Sequence, residues 1–313
     1  MSEQKYVNHI SIRRRIWSQR WLLLFMLPGI LSFFMFTYLP IYGNIAAFQK
    51  YNPVLGILKS PFVGIDNFRM IFTLPTFRRA LRNTITISVL KLFICFPVPI
   101  IFALMLNELK NVHFKKTVQT ISYLPYFVSW VVASNLWYEM LSPNGGMVNE
   151  LLYKLYIIDD PINFMIQIKF FFPTIFLTEL WKNLGWNSII YLAAITAINP
   201  ELYEAARVDG ASRLKQVWYI SLPGIKPTIV LLFIMNVANL LNAGFDQIYT
   251  LSNPVVIEYV DILDTLILRT LTVGGIRDLS VGVAVGIFKS VVAMFLFLLA
   301  NIFSRQIFQE SLL

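Results

Sequence analysis

The chain has 313 residues, 57% of them hydrophobic and 14% charged, with a mean hydropathy of +0.64; this excludes an ordinary soluble domain of its length. The net charge of +9 raises nucleic acid as a partner, but the basic residues sit between long apolar runs and form no interleaved basic and aromatic face. They are read as flanks of membrane spans.

Lipid offers the backbone no hydrogen-bond partner, so a span is a helix of about 20 mostly apolar residues. Six stretches meet that condition, which predicts an all-α membrane protein of six transmembrane helices. The first, residues 21–42, carries no charge and follows Arg13, Arg14, Arg15 and Arg20. A cleaved signal peptide competes for this stretch. Its length, the Leu27-Pro28-Gly29 interruption and the missing small-x-small site favour a retained signal anchor. The second span, residues 84–107, carries Lys91 and the kinking pair Pro97 and Pro99, and includes Cys95, the one cysteine. A lone cysteine builds neither an intrachain disulfide nor a thiolate metal site, and it is read as a small core hydrophobe. The third span covers residues 117–140, the fourth 170–197, the fifth 227–245 and the sixth 281–303. His9 and His113 stand alone in polar segments and receive no role.

Lysine and arginine are almost evenly divided between alternate loops, so the triple arginine before the first span decides the orientation. It places the amino terminus in the cytoplasm, and an even number of spans returns the carboxyl terminus there. Residues 1–20 are then a cytoplasmic segment and residues 21–313 one transmembrane domain. The loops 43–79, 141–169 and 244–280 fall outside, as landing surfaces for a partner or as plain connectors.

Between the fourth and fifth spans, residues 199–223 are built like a short helix with a defined end. Asn199 suits the N-cap, Pro200 the first helical position, and Glu201 and Glu204 the positive end of the dipole. Gly210 suits the left-handed residue that stops the helix. Leu202, Ala205, Ala206 and Asp209 share one small-residue face suited to docking. Leu222-Pro223 and Pro227 then restart the chain as the fifth span.

Glu204-Ala205-Ala206, three residues, Gly210, nine residues, then Ile220-x-Leu222-Pro223 resembles the EAA loop of permease subunits of bacterial ATP-binding-cassette importers. The resemblance extends over most of the chain, through Tyr51-Asn52-Pro53, Phe62-Val63-Gly64-Ile65-Asp66-Asn67-Phe68, Ala80-Leu81-Arg82-Asn83-Thr84, Leu180-Trp181-Lys182-Asn183-Leu184-Gly185-Trp186, Gly244-Phe245-Asp246-Gln247-Ile248-Tyr249 and Asp261-Ile262-Leu263-Asp264-Thr265. These stretches are similar to the carbohydrate permeases, especially the branch that imports oligosaccharides from complex polysaccharides. The resemblance implies a type I importer fold in the bacterial cell membrane. It also implies a second homologous permease, two ATPase subunits, an extracytoplasmic solute-binding protein and a carbohydrate cargo. Its loop implies a coupling helix seated in a groove of the ATPase subunit, with Glu204, Ala205, Ala206, Asp209, Gly210, Leu222 and Pro223 carrying the coupling. No Gly-x-x-x-x-Gly-Lys-Ser/Thr loop and no paired histidines occur in the sequence. ATP and its magnesium therefore belong to the partner, and no cofactor or metal to this chain.

An ionisable group in mid-span costs about 2.5–3.5 kcal/mol on insertion scales and faces a cavity or a partner. Lys91, Glu179, Lys182 and Lys289 fall in this class. Glu179 and Lys182, three apart, pair with each other on one reading and line a pathway on the other; Lys289 either lines the cavity or pairs across helices. Asn236, Asn239 and Asn242 lie within about 120° on one face of the fifth span. Their amides suit sugar hydroxyls, and Trp130, Trp137, Trp181, Trp186 and Tyr191 offer flat surfaces for ring faces. The competing reading makes the asparagines helix-to-helix glue and the tryptophans interface markers. The loop specifies the mode of coupling and not the cargo, so a non-sugar solute stays as an alternative. A secondary transporter predicts activity without an ATPase and an inverted repeat, which is not seen. A membrane enzyme predicts a convergent acid, base or metal cluster, and the spans offer none beyond Glu179.

Overall fold

Lipid leaves the backbone two ways to satisfy itself, and the described residues of this chain take the helical one. The computed structural model describes residues 17–272 and 276–308. His9 and the Arg13, Arg14 and Arg15 cluster, on which the orientation was argued, lie outside them. Among the described residues the β structure is one isolated bridge, Gln49 to Phe62.

Helix α1 (Arg20–Phe33) runs on through a π turn (Phe34–Tyr38) and a 3-10 stretch (Leu39–Phe48), 29 residues in all. It contains Pro28 and buries none of its own residues. After α2 (Asp66–Thr73), helices α3 (Pro75–Ile94) and α4 (Pro97–Glu108) make a second long apolar stretch. The join at Cys95 and Phe96 is where Pro97 and Pro99 withhold two backbone N–H groups. Helix α14 (Ile276–Phe308) contains the third, Leu279–Phe303.

Two expected spans are interrupted. Residues 117–140 divide into α5 (Val112–Tyr123), a 3-10 turn (Leu124–Phe127) and α6 (Trp130–Met140). Pro125 cannot donate to the ladder, and Ser129 starts a new helix by accepting from the Val132 N–H. After α7 (Met147–Lys154), the 29-residue α8 (Ile168–Thr196) is unbroken. It is long enough to cross a membrane but carries Lys169, Glu179 and Lys182. Helix α9 (Pro200–Val208) leads to α10, three short pieces covering Arg213–Gly224, and α10 meets α11 (Lys226–Ala238) at 59°. The expected fifth span, 227–245, stops at Ala238. Residues 239–244 leave the helix, Gly244 turns the chain at φ +93°, and α12 (Phe245–Leu251) resumes. Among the described residues three helices are long and apolar enough to span, or four if α10 with α11 counts as one.

Packing gathers these elements around α8 and α14. Helix α8 lies along α4 through Ile100, Ala103, Leu106, Tyr191, Leu192 and Ile195. Its other end joins α3, α6 and α12 through Ile87, Trp137, Phe171, Ile175 and Ile248. Helix α13 (Leu263–Thr272) and α14 close on α2 and α3 around Phe77, Leu263, Leu266 and Ala284. There the rings of Phe72, Phe77 and Phe288 meet edge to face at 5.4–5.5 Å.

Candidate functional site: a capped loop helix and a polar cavity

Helix α9 is closed at both ends by its own sequence. Asn199 Oδ1 accepts from the Glu201 N–H at 3.1 Å, with Pro200 in the first turn. At the other end the Gly210 N–H reaches the Arg207 carbonyl at 3.1 Å and the Ala211 N–H reaches the Ala206 carbonyl at 2.8 Å. That is the bond pair of a Schellman stop, and Gly210 has the left-handed φ of +73° it needs. The Tyr203 hydroxyl lies 2.9 Å from Ser221 Oγ, tying α9 to α10. Gly224 leaves room for Ile198, whose Cδ1 would stand 2.6 Å from a Cβ there. So anchored, the helix leaves Glu204, Ala205, Asp209 and Gly210 exposed and Ala206 half-buried. Leu202 and Val208 beside them are 52% and 88% exposed. Leu222 packs with Ile225, and Pro223 faces out.

The break between α11 and α12 opens onto a cavity of about 340 Å³, lined by Asn236, Asn239, Asn242 and Tyr191 together with Ser88, Lys91, Trp130, Glu179, Asn183 and Asn187. Asn236 and Asn239 donate to the carbonyls of Leu232 and Met235, at 2.8 and 2.9 Å. Each keeps a second amide proton and its oxygen for other partners. Ser88 Oγ is buried there without a protein partner. Trp130, Phe96 and Ile190 add flat and apolar surface. Neutral donors, neutral acceptors and an aromatic wall suit a small polar ligand.

A charged clasp holds this cavity at the break. Lys91 Nζ donates to Glu179 Oε2 at 2.8 Å, to the Ala243 carbonyl at 3.0 Å and to Gln247 Oε1 at 2.5 Å. Gln247, fully buried, donates in turn to the Ile175 carbonyl and Thr178 Oγ1, each at 2.7 Å. A carbonyl of the irregular turn between α11 and α12 is thus satisfied by a lysine from another helix. A Cβ at Gly244 would lie 2.7 Å from Lys91 Nζ and push that side-chain tip aside, and the left-handed φ is what calls for glycine here.

The profile described as the binding-protein-dependent transport system inner membrane component matches residues 95–309, a stretch that holds α9 and most of the cavity wall. The chain belongs to that family. The polygalacturonan/rhamnogalacturonan transport system permease protein YteP of Bacillus subtilis is 43% identical over 94% of this chain and 90% of its own length. Protein LplB of the same organism is 39% identical over 94% of this chain and 91% of its own. Among solved structures, the bacterial alginate ABC transporter in complex with an alginate pentasaccharide-bound periplasmic protein contains a chain that superposes with a TM-score of 0.86 at 38% identity. The match covers 96% of this chain and 99% of that one. At this identity the two share the type I permease fold.

Several residues singled out in the sequence of this inner membrane component lie away from the cavity. Trp137 is buried against Trp181 with ring centroids 5.8 Å apart, and Trp186 stacks on Tyr126 at 4.3 Å. Lys289 pairs across helices with Asp264, the second of its two readings. Glu179 and Lys182 do not pair with each other. Lys182 instead donates to the carbonyls of Tyr126, at 2.8 Å, and of Val128, capping the break in the expected third span. Cys95 is half-buried and lines the cavity. Sequence reasoning missed Gln247, Ser88, Asn183 and Asn187. The Asn183 and Asn187 amides, i and i+4 on α8, carried the same signal as those of Asn236, Asn239 and Asn242. Among the described residues no three His, Cys, Asp or Glu side chains converge as a metal site.

Proposed function

We propose that this chain is the transmembrane permease subunit of an ATP-driven importer that carries a carbohydrate, an oligosaccharide cut from a polysaccharide, into the cell by alternating access. The observation that carries the reading is α9: a helix capped at both ends, tied to α10 by Tyr203, and presenting Leu202, Ala205 and Val208 outward within the family's loop. A rigid element of this kind transmits motion, and its bare apolar face needs a partner. That partner is an ATPase subunit, which supplies ATP and magnesium; this chain holds neither. Six spans are proposed, the third broken at the 3-10 turn and the fifth bent, with both termini in the cytoplasm. A second homologous permease completes the pathway, and an extracytoplasmic solute-binding protein delivers cargo to the outer loops. Sugar cargo is supported by relatives named for polygalacturonan, for arabinooligosaccharides and for alginate and by the amide-lined cavity.

The test is ATP hydrolysis by the purified complex in nanodiscs, with cargo-loaded binding protein added. Gly210→Pro forces φ from +73° to about −65° and deletes the N–H that stops α9. The variant is expected to lose cargo-stimulated hydrolysis or to release the ATPase. Assembly and stimulation at the unmodified level would remove α9 from the coupling path.

A further inference from the structure

The break between α11 and α12 falls on a boundary between two packed clusters. On one side, Ile229 and Leu232 of α11 pack with Ile225, with Ile100 of α4 and with Leu192 at one end of α8. On the other, Ala243 of the turn and Ile248 of α12 pack with Ile87 of α3, Trp137 of α6 and Ile175 at the opposite end of α8. The α3 to α4 join lies on the same boundary, with Ile87 in one cluster and Phe96 against the other. Leu222 of α10 also belongs with the α11 side. A displacement of α9, tied to α10 through Tyr203 and Ser221, therefore reaches the cavity wall by way of α11 and residues 239–244. What those residues do then depends on what holds their far side.

Lys91 holds it. An ammonium has three protons to donate, and Glu179, the Ala243 carbonyl and Gln247 accept all three. Gln247 is itself fixed to α8 by the Ile175 carbonyl and Thr178. Further along α12, the Tyr138 hydroxyl of α6 donates to the Leu251 carbonyl at 2.7 Å. Each of these groups belongs to this chain, so the clasp is complete without a second permease. A hinge is a short stretch between two packed bodies in which a few residues absorb the change in φ and ψ. Residues 239–244 meet that description, and Asn239 and Asn242 of the cavity wall ride on them.

We propose that Lys91 is the positioning residue of this hinge: it clamps Ala243 and Gln247 to α8, so that α11, moved from α9, swings about residues 239–244 against a fixed outer wall. The proposal rests on the importer reading. Without the ammonium the far side of the hinge yields along with the near side, and closure of the ATPase no longer works against a clamped wall.

The experiment uses the complete complex, with its ATPase and binding protein, in nanodiscs. Lys91→Met alone would strand the Glu179 carboxylate, so Lys91→Met with Glu179→Gln is compared with Glu179→Gln. The two differ at the ammonium, and glutamine keeps an oxygen for Asn183 Nδ2, which Glu179 accepts at 2.7 Å. Neither readout needs the cargo: hydrogen exchange at the backbone amides of residues 240–249, and ATP hydrolysis per assembled complex. Relative to Glu179→Gln, the double variant is expected to exchange about tenfold faster at those amides and to hydrolyse ATP about threefold faster. A lysine that only supported the fold would lower the amount of complex and would not raise the turnover of what assembles. Gly244→Ala reaches the clasp without altering a charge, because its Cβ would stand 2.7 Å from Lys91 Nζ. The same two shifts, relative to wild type, are expected of it, and they decide the matter should the double variant fail to assemble. Equal exchange or no gain in hydrolysis in the double variant overturns the proposal, as does wild-type behaviour of Gly244→Ala. A wild-type complex that hydrolyses no ATP instead overturns the importer reading.

Discussion

Gly185 sits where α8 crosses the end of α5, and a methyl group built on it would stand 2.2 Å from the Ser122 carbonyl oxygen. Backbone cannot give way as a flexible side-chain tip does, so the two helices would have to separate. Lys182, one turn earlier on α8, caps the carbonyls at the break between α5 and α6, and its ammonium lies 5.5 Å from the centre of the Trp130 ring. Gly185→Ala is therefore expected to destabilise the protein by about 1–3 kcal/mol, the usual cost of overpacking. Gly286→Ala, with nothing within 4 Å of the added carbon, is the control. Thermal melting of the two variants in detergent checks this, and equal midpoints would remove the close crossing from the account. Little of this was legible in advance. The i, i+3 spacing of Glu179 and Lys182 invited a local ion pair, whereas the cation that Glu179 pairs with lies 88 residues away, at Lys91. Spacing along one helix says nothing about what a neighbouring helix brings.

At the scale of elements, helix ends divide into those set by local chemistry and those set by packing. Helix α9 was readable from end to end because Asn199, Pro200 and Gly210 act on their immediate neighbours. The breaks in the third and fifth spans were not read, since hydropathy stays high across Leu124 to Val128 and from Leu240 to Ala243. Pro125 was the one visible signal in the first case. In the second, the unwound turn is completed by Lys91 from another helix. The tie between α9 and α10 is also tertiary, a single contact between the Tyr203 hydroxyl and the buried Ser221 Oγ. Tyr203→Phe removes it and leaves Ser221 without that partner, at a cost of about 1 kcal/mol. Backbone amides of residues 201–208 are expected to exchange hydrogen several times faster in this variant, while those of α8 keep their wild-type rates. Unchanged exchange in α9 would mean that its caps alone hold it in place.

Across the whole molecule the loops sort into two ends. The Tyr51 N–H bonds Ser280 Oγ at 2.9 Å, Arg79 pairs with Glu258 at 2.9 Å, and Asn253 Nδ2 reaches the Met165 carbonyl at 2.7 Å. These contacts join loops 43–79, 141–169 and 244–280 at one end of the bundle. Arg213 and Glu108, 3.6 Å apart, bring the turn after α4 to the loop that carries α9. The proposed six-span arrangement assigns these two groups of loops to opposite sides of the membrane, with the interrupted stretches 117–140 and 227–245 counted as spans. Charge bias left the direction resting on one arginine cluster, so direction is what remains to be measured. Cys95, replaced by serine, gives a cysteine-free background. Leu58 and Tyr156 are 88% and 95% exposed on the first set of loops, and Leu214, 72% exposed, follows α9. Introduced cysteines at Leu58 and Tyr156 are expected to react with a membrane-impermeant maleimide on intact cells. Those at Leu214 and at the exposed Lys116 are expected to react only after the membrane is opened. The reverse pattern would place α9 outside, out of reach of any cytoplasmic ATPase. Reaction of all four on intact cells would mean that the two groups of loops do not lie on opposite sides of the membrane.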